Sequence, residues 1–187
     1  MSEIKYVENR TYEKIDGKIY LMARPSLNHV TISANIWKIF SRFLAGKVCK
    51  AYIEPDVFLD DDNNFVPDVI IVCDKSKRKG KGIYGAPDLV AEVLSPSTAK
   101  IDLADKKAAY EKHGVKEYWI IDPVSKAISV YHLEAGLLNL NNVYFHKTEE
   151  EKESLPDDDL KSLAPEFNVS FFDDLAVKLE EIFEELE

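Results

Sequence analysis

The distribution of hydrophobic and polar positions along the chain predicts strands that alternate with helices. Short runs rich in β-branched residues are typical of strands, and apolar residues that recur every three to four positions are typical of helices. The predicted strands are 18–23, 49–60, 65–72, 88–94, 117–122, 127–133 and 142–147, with a hairpin turn at Asp16-Gly17. The predicted helices are 28–45, a second that begins between Thr98 and Asp102 and ends at Gly114, and an acidic C-terminal helix that follows Asp173-Asp174 and ends at Glu187. Residues 156–172 are predicted to be irregular or to form a short strand.

Two of the predicted strands each carry one acidic residue inside an otherwise apolar run. Asp68 interrupts residues 65–72, and Glu92 interrupts residues 88–96. Runs of this kind are typical of strands that are covered on both faces. A carboxylate there destabilises the fold unless another group compensates its charge. The two acids therefore suggest one shared partner.

A divalent cation is a suitable partner, because magnesium binds through one or two carboxylates and keeps waters for substrate phosphates. The helix that follows Glu92 supplies a further charge. Asp102, Lys106 and Tyr110 are four residues apart, so they lie on one helical face. Two acids and a lysine around a metal form a hydrolytic centre for phosphodiesters. The metal polarises the phosphoryl oxygen and activates water, while the ammonium orients that water or neutralises developing charge.

At these residues the sequence is similar to a known family. Pro67-Asp68 followed by Glu92 resembles the PD-(D/E)XK nuclease motif, and the wider pattern resembles the Uma family of predicted restriction endonucleases. That wider pattern consists of Pro67-Asp68-Val69, Ala86-Pro87-Asp88-Leu89-Val90, Glu92-Val93-Leu94-Ser95-Pro96-Ser97-Thr98, Asp102, Lys106, Tyr110, Gly114-Val115, Glu117-Tyr118-Trp119 and Asp122-Pro123. The likeness is dense over residues 65–123 and thinner on either side.

Pattern and resemblance together predict an α/β (α+β) fold with a restriction-endonuclease-like αβββαβ core. We expect one domain over residues 1–187, with the core at about 28–123 and an acidic extension at about 149–187. The core has a mixed central sheet, preceded by extra N-terminal strands and followed by a hairpin and the acidic helix. The resemblance implies a Mg²⁺- or Mn²⁺-dependent nuclease that cuts DNA, in which Asp68 and Glu92 bind the metal and the Val93 carbonyl adds a ligand.

One departure from the motif concerns its lysine. That lysine usually lies two residues after the second acid, where this chain has Leu94. The resemblance implies that the lysine has moved to the following helix. Its spacing of four from Asp102 and from Tyr110 favours Lys106 over Lys107 and Lys100.

Two residues near the N-terminus match positions of the resembled family. Glu13 is either an additional acid near the metal or a solvated glutamate beside the hairpin turn. His29 lies at the start of the first predicted helix, where a capping or surface histidine is the favoured interpretation.

The net charge of −10 argues against a nucleic-acid ligand, because phosphate binding depends on cations. The distribution of charge weakens that objection. Residues 149–187 carry 15 acids and 3 bases, which leaves 19 acids and 21 bases in residues 1–148. Five bases lie in the loop from Lys75 to Lys81. This loop either contacts DNA phosphates beside the acids or serves only to keep the protein soluble.

Composition bears on location and assembly. No apolar run approaches the roughly twenty residues that cross a bilayer, and residues 1–5 contain no signal-peptide core, so we expect a cytoplasmic protein. Cys49 and Cys73 are expected to be reduced, packed thiols. The apolar stripe of the acidic helix, which includes Leu179, suits docking on the domain itself or on a second subunit of a homodimer.

Two interpretations compete with a DNA nuclease. One is a regulatory or nucleic-acid-binding module that keeps the nuclease scaffold and cuts nothing, because fold and function separate readily. The other is structural, with Asp68, Glu92 and Lys106 as a buried salt-bridge cluster, although such clusters stabilise a fold only weakly. The nuclease hypothesis requires that these three side chains converge on one pocket.

Overall fold

The computed structural model describes residues 12–95 and 101–186. The strands are β1 (Tyr12–Ile15), β2 (Lys18–Leu21), β3 (Lys50–Ile53), β4 (Val57–Phe58), β5 (Asn64–Phe65), β6 (Val69–Val72), β7 (Arg78–Lys79), β8 (Gly82–Tyr84), β9 (Leu89–Val93), β10 (Glu117–Asp122), β11 (Ala127–Glu134), β12 (Leu137–Phe145), β13 (Glu166–Asn168) and β14 (Ala176–Lys178). The α-helices are α1 (Leu27–Phe43), α2 (Lys107–His113), α3 (Glu149–Glu153), α4 (Asp157–Ser162) and α5 (Leu179–Phe183), with a 3₁₀ turn at Lys75–Lys77 and a π-helical segment at Ile101–Lys106. None of the described helices is both long and apolar enough to cross a lipid bilayer.

The central sheet has the strand order β12-β11-β10-β9-β6-β3. β9 and β10 are parallel, with Glu92 opposite Ile120, and the other neighbours are antiparallel. A parallel pair needs a long crossover, and α2 lies in the connection between β9 and β10. When the strands of the second sheet are left out, the order α1-β3-β6-β9-α2-β10 is therefore the predicted αβββαβ arrangement.

Both faces of the central sheet are covered, as its continuous apolar runs predict. Ile71 of β6 packs in one core cluster with Ile36 and Phe40 of α1. Its neighbour Ile70 points the other way and packs in a second cluster with Tyr110 of α2. Because both faces are buried, a charged side chain on β9 has to find its partner inside the protein.

A second sheet has the order β2-β1-β5-β4-β8-β7 and places the N-terminal hairpin of β1 and β2 beside β5, which precedes β6 in the chain. The predicted turn forms, with Asp16 and Gly17 both at positive φ. Lys14 of β1 pairs with Asn64 of β5, four residues before Asp68. This pairing brings the first strand beside the predicted acids.

The single strand predicted over residues 49–60 is wrong. The chain forms β3, which pairs with β6, and then β4, which pairs with β5 and β8 in the other sheet. Glu54 has a left-handed φ of 47° and the next residue is Pro55, which has no N–H to donate. The turn at these two residues transfers the chain from one sheet to the other.

The acidic C-terminal helix is much shorter than predicted. Leu175, Val177 and Leu179 are buried at alternate positions, and Val177 of β14 pairs with Phe167 of β13, so a strand replaces the first part of the helix. The segment predicted as irregular contains α4 as well as β13. Arg42 of α1 lies 2.8 Å from Glu181 of α5. The C-terminal helix thus docks on its own domain, and a homodimer stays a prediction.

The expectation of reduced cysteines is also wrong, because Cys49 and Cys73 form a disulfide. Lys50 of β3 lies opposite Val72 of β6 in the antiparallel register. The next pair outward is therefore Cys49 and Cys73, with Cα atoms 3.8 Å apart. Sequence spacing alone does not specify this register.

Candidate active site

The two predicted acids and the predicted lysine line one cavity of about 940 Å³. Asp68, Glu92 and Lys106 are 8%, 3% and 3% exposed, so all three charges are withdrawn from bulk water. The convergence that the nuclease hypothesis requires is therefore present.

Asp68 lies directly before β6, and the end of β9 holds its carboxylate. The Val93 N–H donates to Asp68 Oδ2 at 2.7 Å, and the Asp68 N–H donates to Glu92 Oε2 at 3.4 Å. β6 and β9 are antiparallel neighbours with Val69 opposite Ala91, so this register brings Asp68 next to Glu92 and Val93 at the end of β9. Backbone groups thus fix the two carboxylates next to each other.

Glu92 faces α2 and the segment before it. Its Oε1 accepts hydrogen bonds from Lys106 Nζ at 3.1 Å and from the Tyr110 hydroxyl at 2.9 Å. The predicted sharing of one helical face by Lys106 and Tyr110 is confirmed. Lys106 ends the π-helical segment, a wider helical turn that is often found at functional sites.

Glu13 joins the same cluster from the N-terminal hairpin. Its Oε1 lies 2.8 Å from Lys106 Nζ and accepts the Val66 N–H at 2.9 Å. Glu13 is 4% exposed, so the alternative of a solvated glutamate is wrong. The group of Glu13, Asp68, Glu92 and Lys106 has a formal charge of −2, which favours the binding of a cation.

The neighbouring lysines do not share this position. Lys107 Nζ lies 3.8 Å from Glu111 and 5.0 Å from the centre of the Tyr131 ring. The geometry therefore favours Lys106 over Lys107. Lys100 and the Asp102 side chain lie outside the described residues.

The hydroxyl of Tyr110 remains a hydrogen-bond donor. Complete burial, and then the negative charge of Glu92, raise the pKa of Tyr110 well above its ordinary value. The phenol stays protonated, because both effects disfavour a second anion beside the carboxylate. Tyr110 thus holds one oxygen of Glu92 in a fixed orientation.

The Tyr110→Phe substitution is expected to lower the free energy of unfolding by about 1.5–3 kcal/mol, the contribution of a hydrogen bond to a charged group. The sequence predicts that Glu92 binds a metal, and loss of the support behind such a carboxylate is expected to lower cleavage about 10- to 100-fold. Urea denaturation and a nuclease assay would measure the two effects. Tyr144→Phe is a matched control, because Tyr144 stacks on Phe167 away from the cavity. Equal losses in both variants would contradict a specific role for Tyr110.

Residues 6–169 match the family described as "Uma2: Putative restriction endonuclease". The chain belongs to this family. An uncharacterized protein of Synechocystis sp. is 32% identical to it over 128 residues, which are 67% of each chain. A crystal structure described as a putative nuclease of DUF820, from Anabaena variabilis, aligns with a TM-score of 0.70 and 20% identity over 96% of each chain. That likeness shows that the two proteins share a fold.

The sequence-based interpretation of His29 missed its contact in this Uma2 protein. The backbone N–H of His29 does bond to the helix cap Ser26, at 3.2 Å. The side chain turns inward, with Nε2 3.3 Å from Asp68 Oδ2, and its buried Nδ1 has no hydrogen-bond partner among residues 12–95 and 101–186. The position of His29 in the first turn of a helix suggested a capping role. Only its match to a position of the resembled family indicated a role in the site.

The pKa of His29 reflects two opposing effects. Burial lowers it, whereas the hydrogen bond and the charge of Asp68 raise it, and the net result lies above the ordinary value. A raised folded-state pKa means that the His29–Asp68 pair stabilises the fold fully below about pH 6.5, the value for an unperturbed histidine. This stabilisation is lost as the pH rises through the folded-state pKa.

The difference in unfolding free energy between the parent and His29→Gln, measured in EDTA, is therefore expected to shrink as the pH rises. His146→Gln is a control for which the difference in unfolding free energy should change with pH in the opposite direction. Burial, and then the charge of Lys126, lower the pKa of His146. A difference for His29→Gln that does not depend on pH would contradict the assigned charge pair.

The basic loop does not border the cavity. Within the described residues, no side chain from Lys75 to Lys81 lines it. Lys77 Nζ donates to the Ala86 carbonyl at 2.8 Å, and Lys79 lies over the Tyr84 ring. A contact between this loop and DNA stays a prediction.

The donor set of this Uma2 site fits a hard divalent cation. Asp68 and Glu92 supply carboxylate oxygens, and Val93 lines the same cavity. Over the described part of the chain, no three His, Cys, Asp or Glu side chains are grouped so that they could hold a metal ion by themselves. An open site that completes its coordination with water is typical of Mg²⁺.

Proposed function

We propose that this protein is a metal-dependent endonuclease that hydrolyses phosphodiester bonds in DNA. The observation that carries the proposal is the position of Glu92. Its carboxylate lies between the ammonium of Lys106 and the backbone of Asp68, at the wall of a cavity. The family and the fold support a nuclease, and the geometry of the site supports the assignment of individual residues.

Asp68, Glu92 and the Val93 carbonyl are the groups proposed to hold Mg²⁺ or Mn²⁺. The formal charge of −2 on the surrounding cluster supports this role. When bound, such a cation polarises the phosphoryl oxygen and lowers the pKa of a bound water.

Lys106 is proposed to stabilise the charge that develops on the phosphoryl oxygens as water adds to phosphorus and the P–O bond to the leaving sugar oxygen breaks. The lysine can do so only if its ammonium keeps a fixed position. Glu13 lies 2.8 Å from that ammonium and is itself held by the Val66 N–H. Glu13 is thus proposed as a positioning residue for Lys106, and His29 as a positioning residue for Asp68.

Digestion of supercoiled and single-stranded DNA in EDTA, Mg²⁺ or Mn²⁺ tests the proposal. We expect cleavage only with an added divalent cation. Protein that binds DNA but leaves it intact with either metal would contradict the proposal and favour a catalytically silent nucleic-acid-binding module.

A further inference from the structure

Two basic residues that line the cavity have no acidic partner within the described part of the chain. Arg24 lies in the connection between β2 and α1, and Lys126 lies in the turn between β10 and β11. Among residues 12–95 and 101–186, neither one takes part in an ion pair, whereas Lys14, Lys116 and other surface lysines do. We call Arg24 and Lys126 the rim pair, because they are more accessible to solvent than the buried charges of the same cavity.

The turn that carries Lys126 is held by hydrogen bonds. Asp122 accepts the Val124 N–H at 2.9 Å and the Ser125 hydroxyl at 2.6 Å, and the Lys126 carbonyl accepts the His146 N–H at 2.9 Å. Lys126 itself has a left-handed φ of 50°. A cation on a braced turn loses less conformational entropy when it binds an anion.

An apolar side chain accompanies the rim pair. Val124 is 93% exposed and lines the same cavity. A small inorganic anion gains nothing from such a group, whereas a polynucleotide presents both phosphates and apolar base or sugar surfaces. Phosphate contacts fix the register of a bound strand without reading its sequence.

We propose that the rim pair binds the sugar–phosphate backbone of DNA, holding phosphates that flank the one to be cleaved. This inference rests on the nuclease function proposed above. It assigns the strand to the cavity entrance rather than to the basic loop at Lys75 to Lys81. A local cationic site of this kind allows phosphate binding by a chain whose net charge is −10.

The test compares two double variants of the full chain with the same change in charge. Arg24→Gln/Lys126→Gln removes the rim pair, and Lys75→Gln/Arg78→Gln removes two bases of the loop. Fluorescence anisotropy in EDTA measures the binding of a labelled DNA oligonucleotide, single-stranded and duplex, over a range of salt concentrations. Steady-state cleavage with Mg²⁺ then gives kcat and KM.

The rim variant is expected to bind about tenfold more weakly or worse, with a salt slope smaller by about 1.4 for single strands and about 1.8 for duplex. Its KM should rise while kcat stays near the parental value. This result is expected when a mutation removes binding that is equally strong in the ground state and in the transition state. The loop variant should keep the parental affinity and slope.

Parental binding by the rim variant, or a loss confined to the loop variant, would overturn the inference and leave the nuclease function standing. If the parent binds DNA through the rim pair but does not cleave it with either Mg²⁺ or Mn²⁺, the inference holds and the proposed function fails.

Discussion

An Asp68→Asn protein is expected to fold normally and to cleave DNA at least about a thousandfold more slowly than the parent. Stabilisation of a transition state by a bound metal amounts to several kcal/mol, and each 1.36 kcal/mol corresponds to about a factor of ten in rate. Asparagine has the shape of aspartate, and its amide oxygen can still accept the Val93 N–H. The charge that holds the cation is lost. The fold should persist, because the substitution removes one of three neighbouring negative charges.

Cleavage of plasmid DNA and urea denaturation in EDTA would measure the two effects. Asp88→Asn is a matched control, because Asp88 is also 8% exposed and next to a strand. Asp88 accepts the Cys73 N–H at 2.7 Å and lies 2.8 Å from Lys116, outside the cavity. We expect the control to cleave close to the parental rate. Parental activity in Asp68→Asn would remove Asp68 from the site.

A Lys106→Met protein is expected to lose cleavage and about 3–5 kcal/mol of stability, the usual effect of removing one partner from a buried ion pair. Lys106 is the ammonium that separates Glu13 and Glu92, whose oxygens lie 2.8 and 3.1 Å from it. Without it, two buried carboxylates repel each other. The loss is a large fraction of the 5–15 kcal/mol that stabilises a typical domain.

A double variant separates the structural effect from the catalytic one. Lys106→Met/Glu13→Gln removes one of the two repelling charges, so part of the lost stability should return while cleavage stays absent. Lys107→Met is the control at the adjacent position, the first residue of α2. Its partner Glu111 is 3.8 Å away and partly exposed, so the substitution should change stability by less than about 1 kcal/mol. A Lys106→Met protein as stable as the parent would contradict the assigned cluster.

The acids of the site could be predicted because each is an anomaly in its own apolar run. Asp68 and Glu92 interrupt apolar runs that belong to the central sheet, and both faces of that sheet are buried. Lys106 could be selected because helical geometry places it one turn from Tyr110, and both contact Glu92. The inference about the acids uses only neighbours in the chain, whereas the search for the lysine in the following helix also used the resemblance to a known nuclease family. The assigned catalytic and metal-binding roles remain predictions that the variants above would test.

The other features depend on contacts between distant segments. Glu13 and His29 look like a turn residue and a cap locally, and only the pairing of the hairpin and the packing of α1 bring them to Lys106 and Asp68. The rim pair has no sequence signature at all. Arg24 and Lys126 line one cavity because the fold brings together the connection between β2 and α1 and the turn between β10 and β11.

The sequence by itself determined the αβββαβ order, through its periodicity together with its resemblance to a known family. Local periodicity, which reports which side chains must be buried, determined the two buried acids and the helical face of Lys106. The tertiary structure decided the cysteine pairing, the transfer of the chain at Glu54-Pro55, the short C-terminal helix and the partners of each charge. Those outcomes follow from strand register and from packing between segments that are far apart in the chain, which local periodicity does not encode.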